Sequence, residues 1–249
     1  MYFNNVHILY YVLIAIIGFF LGKFINYCNN RFLENKKIIS KDFFQEKGKY
    51  KSNLLLAILN AFIYVVLLYV FGIGKNFLDN IELIKYLVLT PMILSAFIVD
   101  YKEQIIPNRL NLTIFETGII FLFIAGIFNV NVAIDMFFGM LVGGGIFLLI
   151  TLVGGLIAGK EAMGFGDVKL MVGLGLYFGL ANIILITLVS FLIGAIISVI
   201  LIVSKIKKTD EYIPFGPFIV IACFIVMIVP FQNLLSLLIT IFSLGTMRI

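Results

Sequence analysis

The chain has 249 residues, of which 62% are hydrophobic and only 12% are charged, and its mean hydropathy is +1.16. A soluble domain carries roughly 25% charged residues on its surface, so this composition excludes a soluble protein and predicts a membrane protein. The formal net charge of +5 does not indicate a nucleic-acid partner, because the basic residues follow a pattern that membrane topology explains.

Apolar runs between charged or turn-rich breaks predict an all-α, polytopic membrane protein with about eight transmembrane helices. The first run lacks a basic start and a small-residue cleavage site, so it predicts a retained helix rather than a signal peptide. The fifth and sixth runs are rich in glycine, which favours close packing between membrane helices. The predicted spans are residues 6–27, 53–73, 82–100, 110–128, 132–158, 167–180, 182–204 and 216–244.

Basic residues indicate the side of each loop. Fifteen of the 18 lysines and arginines lie in or beside the breaks that follow the first, third, fifth and seventh spans, and cytoplasmic loops of membrane proteins are enriched in these residues. The pattern predicts that these loops are cytoplasmic and that both termini lie outside. The short basic loop of residues 30–52, between the first two helices, is also a predicted contact for anionic lipid head groups.

Two carboxylates carry the predicted chemistry. Asp100 ends the third span and Asp167 begins the sixth, so both are predicted at the cytoplasmic ends of their helices. If they converge on one water molecule they share a proton, because like charges a few ångströms apart do not both ionise easily in a low dielectric. One carboxyl group is then a general base toward water and the other a general acid toward a scissile carbonyl. The alternative is that each is an ordinary interfacial residue ending a helix.

Glycines flank the second carboxylate. Gly164 and Gly166 lie on either side of Phe165, where they permit unusual backbone angles and the close approach of an extended peptide. Lys169, two residues after Asp167, has three open interpretations: it favours an ionised pair, it binds a backbone carbonyl, or it reaches the head groups.

The segment EAMGFGDVKL, which contains Asp167, resembles the GxGD signature of the type IV prepilin peptidases. Three further blocks of that family occur in the same order along the chain. They are GKFINYCNNR at the end of the first span, DYKEQIIPNRL after the third span, and IPFGPF at the start of the last span. The residues that match the family's motifs are Gly22, Asn26 and Arg31 in the first block, Asp100 and Pro107 in the second, Gly164, Gly166, Asp167 and Lys169 in the third, and Pro214, Gly216 and Pro217 in the fourth.

The resemblance implies an intramembrane aspartyl endopeptidase that removes the short basic leader of prepilins or pseudopilins. Family members cut after a glycine at the cytoplasmic face of the plasma (inner) membrane. Carried over, Asp100 and Asp167 are the catalytic dyad, and proteolysis by this pair needs no cofactor. The implied partners are prepilins and membrane lipid, and no nucleic acid. Glu103 and Glu161, beside the two aspartates in sequence, are the predicted contacts for the basic leader.

Many family members also methylate the new N-terminus with S-adenosylmethionine, and Gly22, Asn26 and Arg31 lie in the block tied to that activity. The family's longer loop often carries two zinc-binding Cys-x-x-Cys pairs, whereas this chain has only Cys28 and Cys223, so no metal is expected. The resemblance therefore implies a methyltransferase-like region, residues 1–52, and a seven-helix peptidase region, residues 53–249. It leaves the methyltransferase activity open.

Two interpretations from other classes stand beside the peptidase. In a small transporter or channel, Asp100, Glu116 and Asp167 would line an ion path, although the inverted repeats common in transporters are not evident. A non-catalytic assembly factor would hold pilins without cutting them. The acidic residues assigned to the outer side, among them Asp135, are predicted to be solvated loop charges.

Overall fold

The structure is a computed structural model that describes residues 2–4, 6–33, 53–75, 77–159, 163–206 and 213–243. In these ranges a short hairpin of β1 (Tyr2–Phe3) and β2 (Val6–His7) precedes eight helices. They are α1 (Ile8–Leu33), α2 (Leu54–Phe71), α3 (Phe77–Glu103), α4 (Asn108–Phe128), α5 (Val130–Ala158), α6 (Phe165–Val203), α7 (Gly216–Ile228) and α8 (Phe231–Phe242). Helices α1 to α6 are long and apolar enough to cross a membrane. The prediction of an all-α, polytopic membrane protein is confirmed.

The first five predicted spans correspond to α1 to α5. Helices α1 and α3 continue past the predicted ends of their spans, to Leu33 and Glu103, because hydropathy marks the apolar part of a membrane helix and a helix continues through its polar interfacial turns.

The chain divides into two compact units, Met1–Leu110 and Asn111–Ile249. In the first unit α1 packs against both α2 and α3. A Cβ atom at Gly22 would lie 2.5 Å from the Ala57 Cα atom, so the absence of a side chain there lets α1 and α2 approach closely. The Asn60 side chain ties the same helices by donating a hydrogen bond to the Gly18 carbonyl at 2.7 Å.

In the second unit α6 is interrupted at Gly179, whose φ of 72° and ψ of 180° are not helical. A Cβ atom at Gly143 of α5 would lie 2.9 Å from the Met171 carbonyl oxygen and 2.7 Å from Ile183 Cγ1. Residues 171 and 183 would be about 18 Å apart in a straight helix. The chain therefore turns back at Gly179, and residues 165–178 and 180–203 form a helical hairpin against α5. These halves correspond to the predicted sixth and seventh spans.

The predicted eighth span, residues 216–244, is divided in the structure. Helix α7 ends at Ile228 and α8 begins at Phe231, with Val229 extended (φ −98°, ψ 128°) before Pro230. The expectation of one continuous helix is wrong here, because proline disfavours the helical conformation of the residue before it and lacks the N–H that a helix interior needs.

Candidate active site

Asp100 lies in the last turn of α3, with only 3% of its surface exposed. The Gln104 N–H donates to the Asp100 carbonyl at 2.9 Å, and Gln104 then adopts a left-handed conformation with φ of 56°, which ends the helix. Pro107 follows, and its carbonyl accepts the Leu110 N–H at 3.0 Å as α4 begins. The block from Asp100 to Pro107 is thus a helix end, a left-handed turn and a helix start. It holds a buried carboxylate one turn before the exposed end of α3.

Asp167 lies in the first turn of α6 and is also 3% exposed. Gly164 precedes the helix in an extended conformation, with φ of −69° and ψ of 138°. Its carbonyl accepts the Asp167 N–H at 3.1 Å. The first turn of a helix favours negative charge, because its N–H groups point toward that end. The Gly-Phe-Gly segment therefore forms the start of a helix that carries a buried carboxylate.

Helix α4 holds the half of α6 that carries Asp167. At one level the Asn111 side chain donates to the Gly166 carbonyl at 3.0 Å, and further along the Tyr177 hydroxyl donates to Thr117 Oγ1 at 2.6 Å. Between them, a Cβ atom at Gly173 would lie 2.9 Å from Ile114 Cγ2. Two hydrogen bonds and a close glycine contact thus fix residues 165–178 along α4.

The contacts between α5 and α6 give the depth of Asp167. Gly143 lies beside Met171, and Gly139 lies beside Gly175, so the two helices run antiparallel in a register that places residue 167 level with residue 147. Position 147 is 11 residues before the end of α5 at Ala158, or about 16 Å at 1.5 Å per residue. Asp167 is therefore level with the interior of a membrane-length helix rather than with its end.

The backbone just before Asp167 is not helical, although Asp167 is level with the interior of α5. Residues 163 and 164 are outside the helices, and Met163 is 7% exposed. In membrane proteins irregular backbone below the surface is tolerated only where protein buries it or where it lines a water-filled cavity. A carboxylate next to such a segment is expected to serve a function.

The other predicted peptidase residues have different surroundings. Glu103, at the end of α3, Glu116 on α4 and Lys169 on α6 are exposed, and Glu161 lies outside the described residues. The IPFGPF block starts α7: Gly216 and Pro217 are buried, and a proline in the first turn suits a helix because its φ is already helical. Phe215 of this block packs on Phe147 and Phe191, at ring-centroid distances of 5.9 and 4.9 Å. Pro214 is half-buried beside this cluster in sequence.

The three residues of the methyltransferase-like block serve different contacts. Gly22 lies in the close contact of α1 with α2. Arg31 is 1% exposed, and its guanidinium donates to the Tyr27 hydroxyl at 3.0 Å. Asn26 lines a cavity of about 350 Å³ in the first unit, together with Asn29, Asn30, Asn53, Leu55, Leu56, Leu59, Leu94, Phe97, Ile98, Val99, Tyr101 and Lys102. A role of these residues in methylation stays a prediction.

Sequence reasoning missed the buried asparagines, of which Asn29 and Asn111 lie nearest to the predicted motif blocks. Asn29 accepts a hydrogen bond from the Ser95 hydroxyl across α1 and α3, and Asn111 binds the backbone beside Asp167. Both lie at or near the ends of long apolar runs, where an uncharged polar side chain attracts less notice than a carboxylate. Polar residues inside membrane helices are costly and usually have a partner or a function, and that rule could have identified both.

A buried carboxylate behind a Gly-Phe-Gly helix start, level with the interior of a neighbouring helix, is a site that could act on a peptide. Residues 87–199 match the type IV leader peptidase family. This segment contains Asp100, Pro107, Gly164, Gly166 and Asp167, so the resemblance drawn from the motifs is confirmed.

Curated relatives of the chain are named prepilin leader peptidase/N-methyltransferase. The protein of Aeromonas hydrophila is 29% identical over 142 residues, which cover 57% of this chain and 48% of the relative. That of Pseudomonas aeruginosa is 34% identical over 147 residues, with coverages of 57% and 48%. That of Xanthomonas campestris pv. campestris is 30% identical over 173 residues, with coverages of 69% and 57%. The chain spans about half the length of the curated relatives it matches. No solved structure matches it.

Proposed function

We propose that this protein is an intramembrane aspartyl endopeptidase that removes the basic leader of type IV prepilins or pseudopilins. Cleavage follows a glycine, at the cytoplasmic side of the plasma (inner) membrane. The catalytic pair is Asp100 and Asp167.

The position of Asp167 carries this proposal. Its carboxylate is 3% exposed, follows non-helical backbone, and is level with the interior of α5 rather than with its end. A prepilin has an apolar helix that enters the membrane, so the bond beside that helix is most accessible to a carboxylate at such a depth. The family match over residues 87–199 supports the same reaction.

The chemistry follows from two carboxyl groups that share one proton. The ionised group takes a proton from water while the water oxygen forms a bond with the scissile carbonyl carbon. The protonated group gives its proton to the carbonyl oxygen, and the tetrahedral intermediate results. The intermediate then collapses, the C–N bond breaks, and the amine leaves with a proton from the pair. One peptide and one water yield one carboxylic acid and one amine.

The test uses the full chain in nanodiscs with a synthetic prepilin peptide, and the products are read by mass spectrometry. Asp100→Asn and Asp167→Asn should each lower the cleavage rate by roughly 10²–10⁴-fold, the usual cost of losing a general acid or base. Glu116→Gln, which changes an exposed carboxylate on α4, is the matched control and should cleave at the wild-type rate. An Asp100→Asn or Asp167→Asn variant that keeps a tenth of the activity would exclude that residue from the pair. A Glu116 variant that loses ion flux across the membrane would favour the transporter.

The leader contact belongs to the same proposal. Glu103 is exposed three residues after Asp100, where it can meet a basic leader at the membrane surface. Glu103→Lys should raise KM with little loss of kcat, because it removes binding that is equal in the ground and transition states. The salt dependence of KM should also flatten, since exposed charges are screened over about 10 Å at 0.1 M salt. An unchanged KM with an unchanged salt response would exclude this contact.

N-methylation of the new N-terminus is the second candidate activity, because the relatives' names include it. The cavity of about 350 Å³ beside Asn26 is within the range of small-molecule pockets. Its carboxamides and the rings of Phe97 and Tyr101 are suited to a nucleoside. S-adenosylmethionine would supply the methyl group there. Isothermal titration with S-adenosylmethionine tests the site directly: binding lost in Asn26→Ala supports it, and no binding to the wild type excludes it.

A further inference from the structure

Asn111 lies in the first turn of α4 and is 4% exposed. Its Nδ2 group donates to the Gly166 carbonyl at 3.0 Å. Its Oδ1 atom is buried and accepts no hydrogen bond from the residues that the structure describes. The Nδ2 group of this carboxamide thus has a partner beside Asp167, whereas its Oδ1 atom is available as an acceptor.

The Nδ2 hydrogen bond fixes the plane of the peptide group between Gly166 and Asp167. The Asp167 N–H of this plane donates to the Gly164 carbonyl at 3.1 Å, and the Gly166 carbonyl of the same plane accepts from Asn111. Both polar atoms of one peptide group are therefore held, and this group leads directly into the Asp167 Cα atom. A side chain with only a donor could hold the Gly166 carbonyl, so this hydrogen bond alone does not account for the Oδ1 atom of the carboxamide.

The buried Oδ1 atom of Asn111 needs a different explanation. A buried acceptor without a donor destabilises a folded protein, so such an atom in a native site calls for an explanation, and a bound substrate is one that fits a catalytic site. A peptide about to be hydrolysed is such a partner. Its backbone must be unwound at the scissile bond, because a helical backbone shields its carbonyl, and unwinding frees N–H groups that then leave water.

We propose that Asn111 binds peptide substrate: its Oδ1 atom accepts a backbone N–H of the extended segment next to the scissile bond, while its Nδ2 group positions Asp167. This inference rests on the proposed peptidase function. The ligand is defined by its chemistry, a peptide backbone in extended conformation, and the contact is independent of the substrate's side chains.

The experiment combines a protein variant with an atomic change in the substrate. Synthetic prepilin peptides carry an ester in place of one backbone amide at each position flanking the scissile bond, which removes one N–H at a time. Each peptide is cleaved by the full chain in nanodiscs as wild type, as Asn111→Leu and as Thr117→Val. Leucine has the same branching at Cγ as asparagine but no polar atoms. Thr117→Val is the matched control, because it removes a different hydrogen bond between α4 and α6 without touching Asn111.

One ester position should lower the wild-type kcat/KM by roughly fivefold, the effect of one hydrogen bond. In Asn111→Leu the same ester should lower kcat/KM by less than about twofold, because this variant no longer has the acceptor that binds the substrate N–H. With the all-amide peptide, Asn111→Leu should lower kcat by roughly 10- to 100-fold, since a small misplacement of a catalytic group has that effect. Thr117→Val should keep the ester pattern of the wild type. If Asn111→Leu does not insert and fold, Asn111→Ser, whose hydroxyl is too short for both contacts, takes its place.

Two results would overturn the proposal: ester costs that are the same in wild type and in the Asn111 variant, or a kcat of that variant within twofold of the wild type. These results differ from failure of the peptidase function. If the wild type does not cleave the amide peptide, or if Asp167→Asn does, the proposed function itself is wrong. If the wild type cleaves, Asp167→Asn does not, and the ester costs do not depend on Asn111, only the role of Asn111 is lost.

Discussion

At the scale of single residues, Asp135 shows how one side chain secures a turn of the chain. Its Oδ1 atom accepts the Leu180 N–H at 3.2 Å, the first N–H after the break at Gly179. It thereby caps the second half of α6 from the neighbouring helix α5. Gly179 has φ of 72°, and a Cβ atom there would collide with the Asp135 carboxylate, so the reversal needs glycine at position 179 and is stabilised by the Asp135 cap.

Asp135→Ala should therefore lower the free energy of unfolding by about 1 kcal/mol, the usual effect of losing an N-terminal helix cap. Asp135→Asn should retain most of the stability, because asparagine caps helices as well as aspartate does. Thermal unfolding of the two variants in the same detergent measures the difference. Equal melting temperatures for both variants, well below that of the wild type, would show that the charge rather than the cap is what matters.

The role of Asp135 could not be predicted from the sequence. It was expected to be a solvated loop charge, and it is exposed, yet its partner lies 45 residues further along the chain. A contact at that separation leaves no local spacing to detect. The partner of Asn111, Gly166, is also distant, at 55 residues, so the sequence could mark Asn111 as a polar residue in an apolar run but could not give its contact. Asp167 was found because its signal, the glycines around it, is adjacent in sequence.

At the scale of elements, the position of Asp167 depends on the contact of α5 with the first half of α6. Gly139 and Gly175 face each other there, and a Cβ atom at Gly175 would collide with the Gly139 carbonyl oxygen. The prediction that the glycine-rich spans pack closely is confirmed by these contacts. Small residues let membrane helices approach until their backbones touch, and Asp167 is two turns before Gly175 on the same helix.

Gly175→Ala should destabilise the protein by about 1–3 kcal/mol, as overpacking of a close contact does. It should also reduce kcat, because the helix must shift and carry Asp167 with it. Gly145→Ala on α5 is the control: a Cβ atom there would have no neighbour within 4 Å among the described residues, and alanine is the better helix former by roughly 0.5–1 kcal/mol. Thermal unfolding and cleavage rates of both variants check the contrast. A Gly175→Ala protein as stable and active as Gly145→Ala would contradict this register of α5 and α6.

The sequence predicted the break within α6 but not the break between α7 and α8, and each outcome has a physical reason. The sequence predicted a break between the spans 167–180 and 182–204, in the glycine-containing part of the run, and the reversal at Gly179 lies beside that place. Pro230 also interrupts a run, but apolar residues surround it, so hydropathy alone predicted one helix where two exist. A break that changes only the backbone conformation does not alter hydropathy.

At the scale of the whole molecule, the reversal at Gly179 agrees with the distribution of charge. Gly143 meets Ile183, and Phe147 meets Phe191 at a ring-centroid distance of 5.7 Å, so α5 and the second half of α6 run in the same direction. Their C-terminal ends therefore lie at the same end of the second unit. The lysines that follow these ends in the sequence, Lys160 after α5 and Lys205, Lys207 and Lys208 after α6, are predicted on one side of the membrane by charge alone.

Reporter fusions test this arrangement together with the catalytic pair. Fusions after Lys41, Lys102, Lys160 and Lys207 should report the cytoplasm, and fusions after Lys75 and Asn131 should report the outside, because Lys and Arg are enriched in cytoplasmic loops. Each site is fused separately to alkaline phosphatase, active only outside, and to a fluorescent protein that matures only in the cytoplasm, so that a silent fusion is not mistaken for a location. If the sites after Lys160 and Lys207 differ, the helical hairpin is wrong. If those after Lys102 and Lys160 report opposite sides, Asp100 and Asp167 are reached from opposite faces of the membrane, and no water molecule can be shared between them.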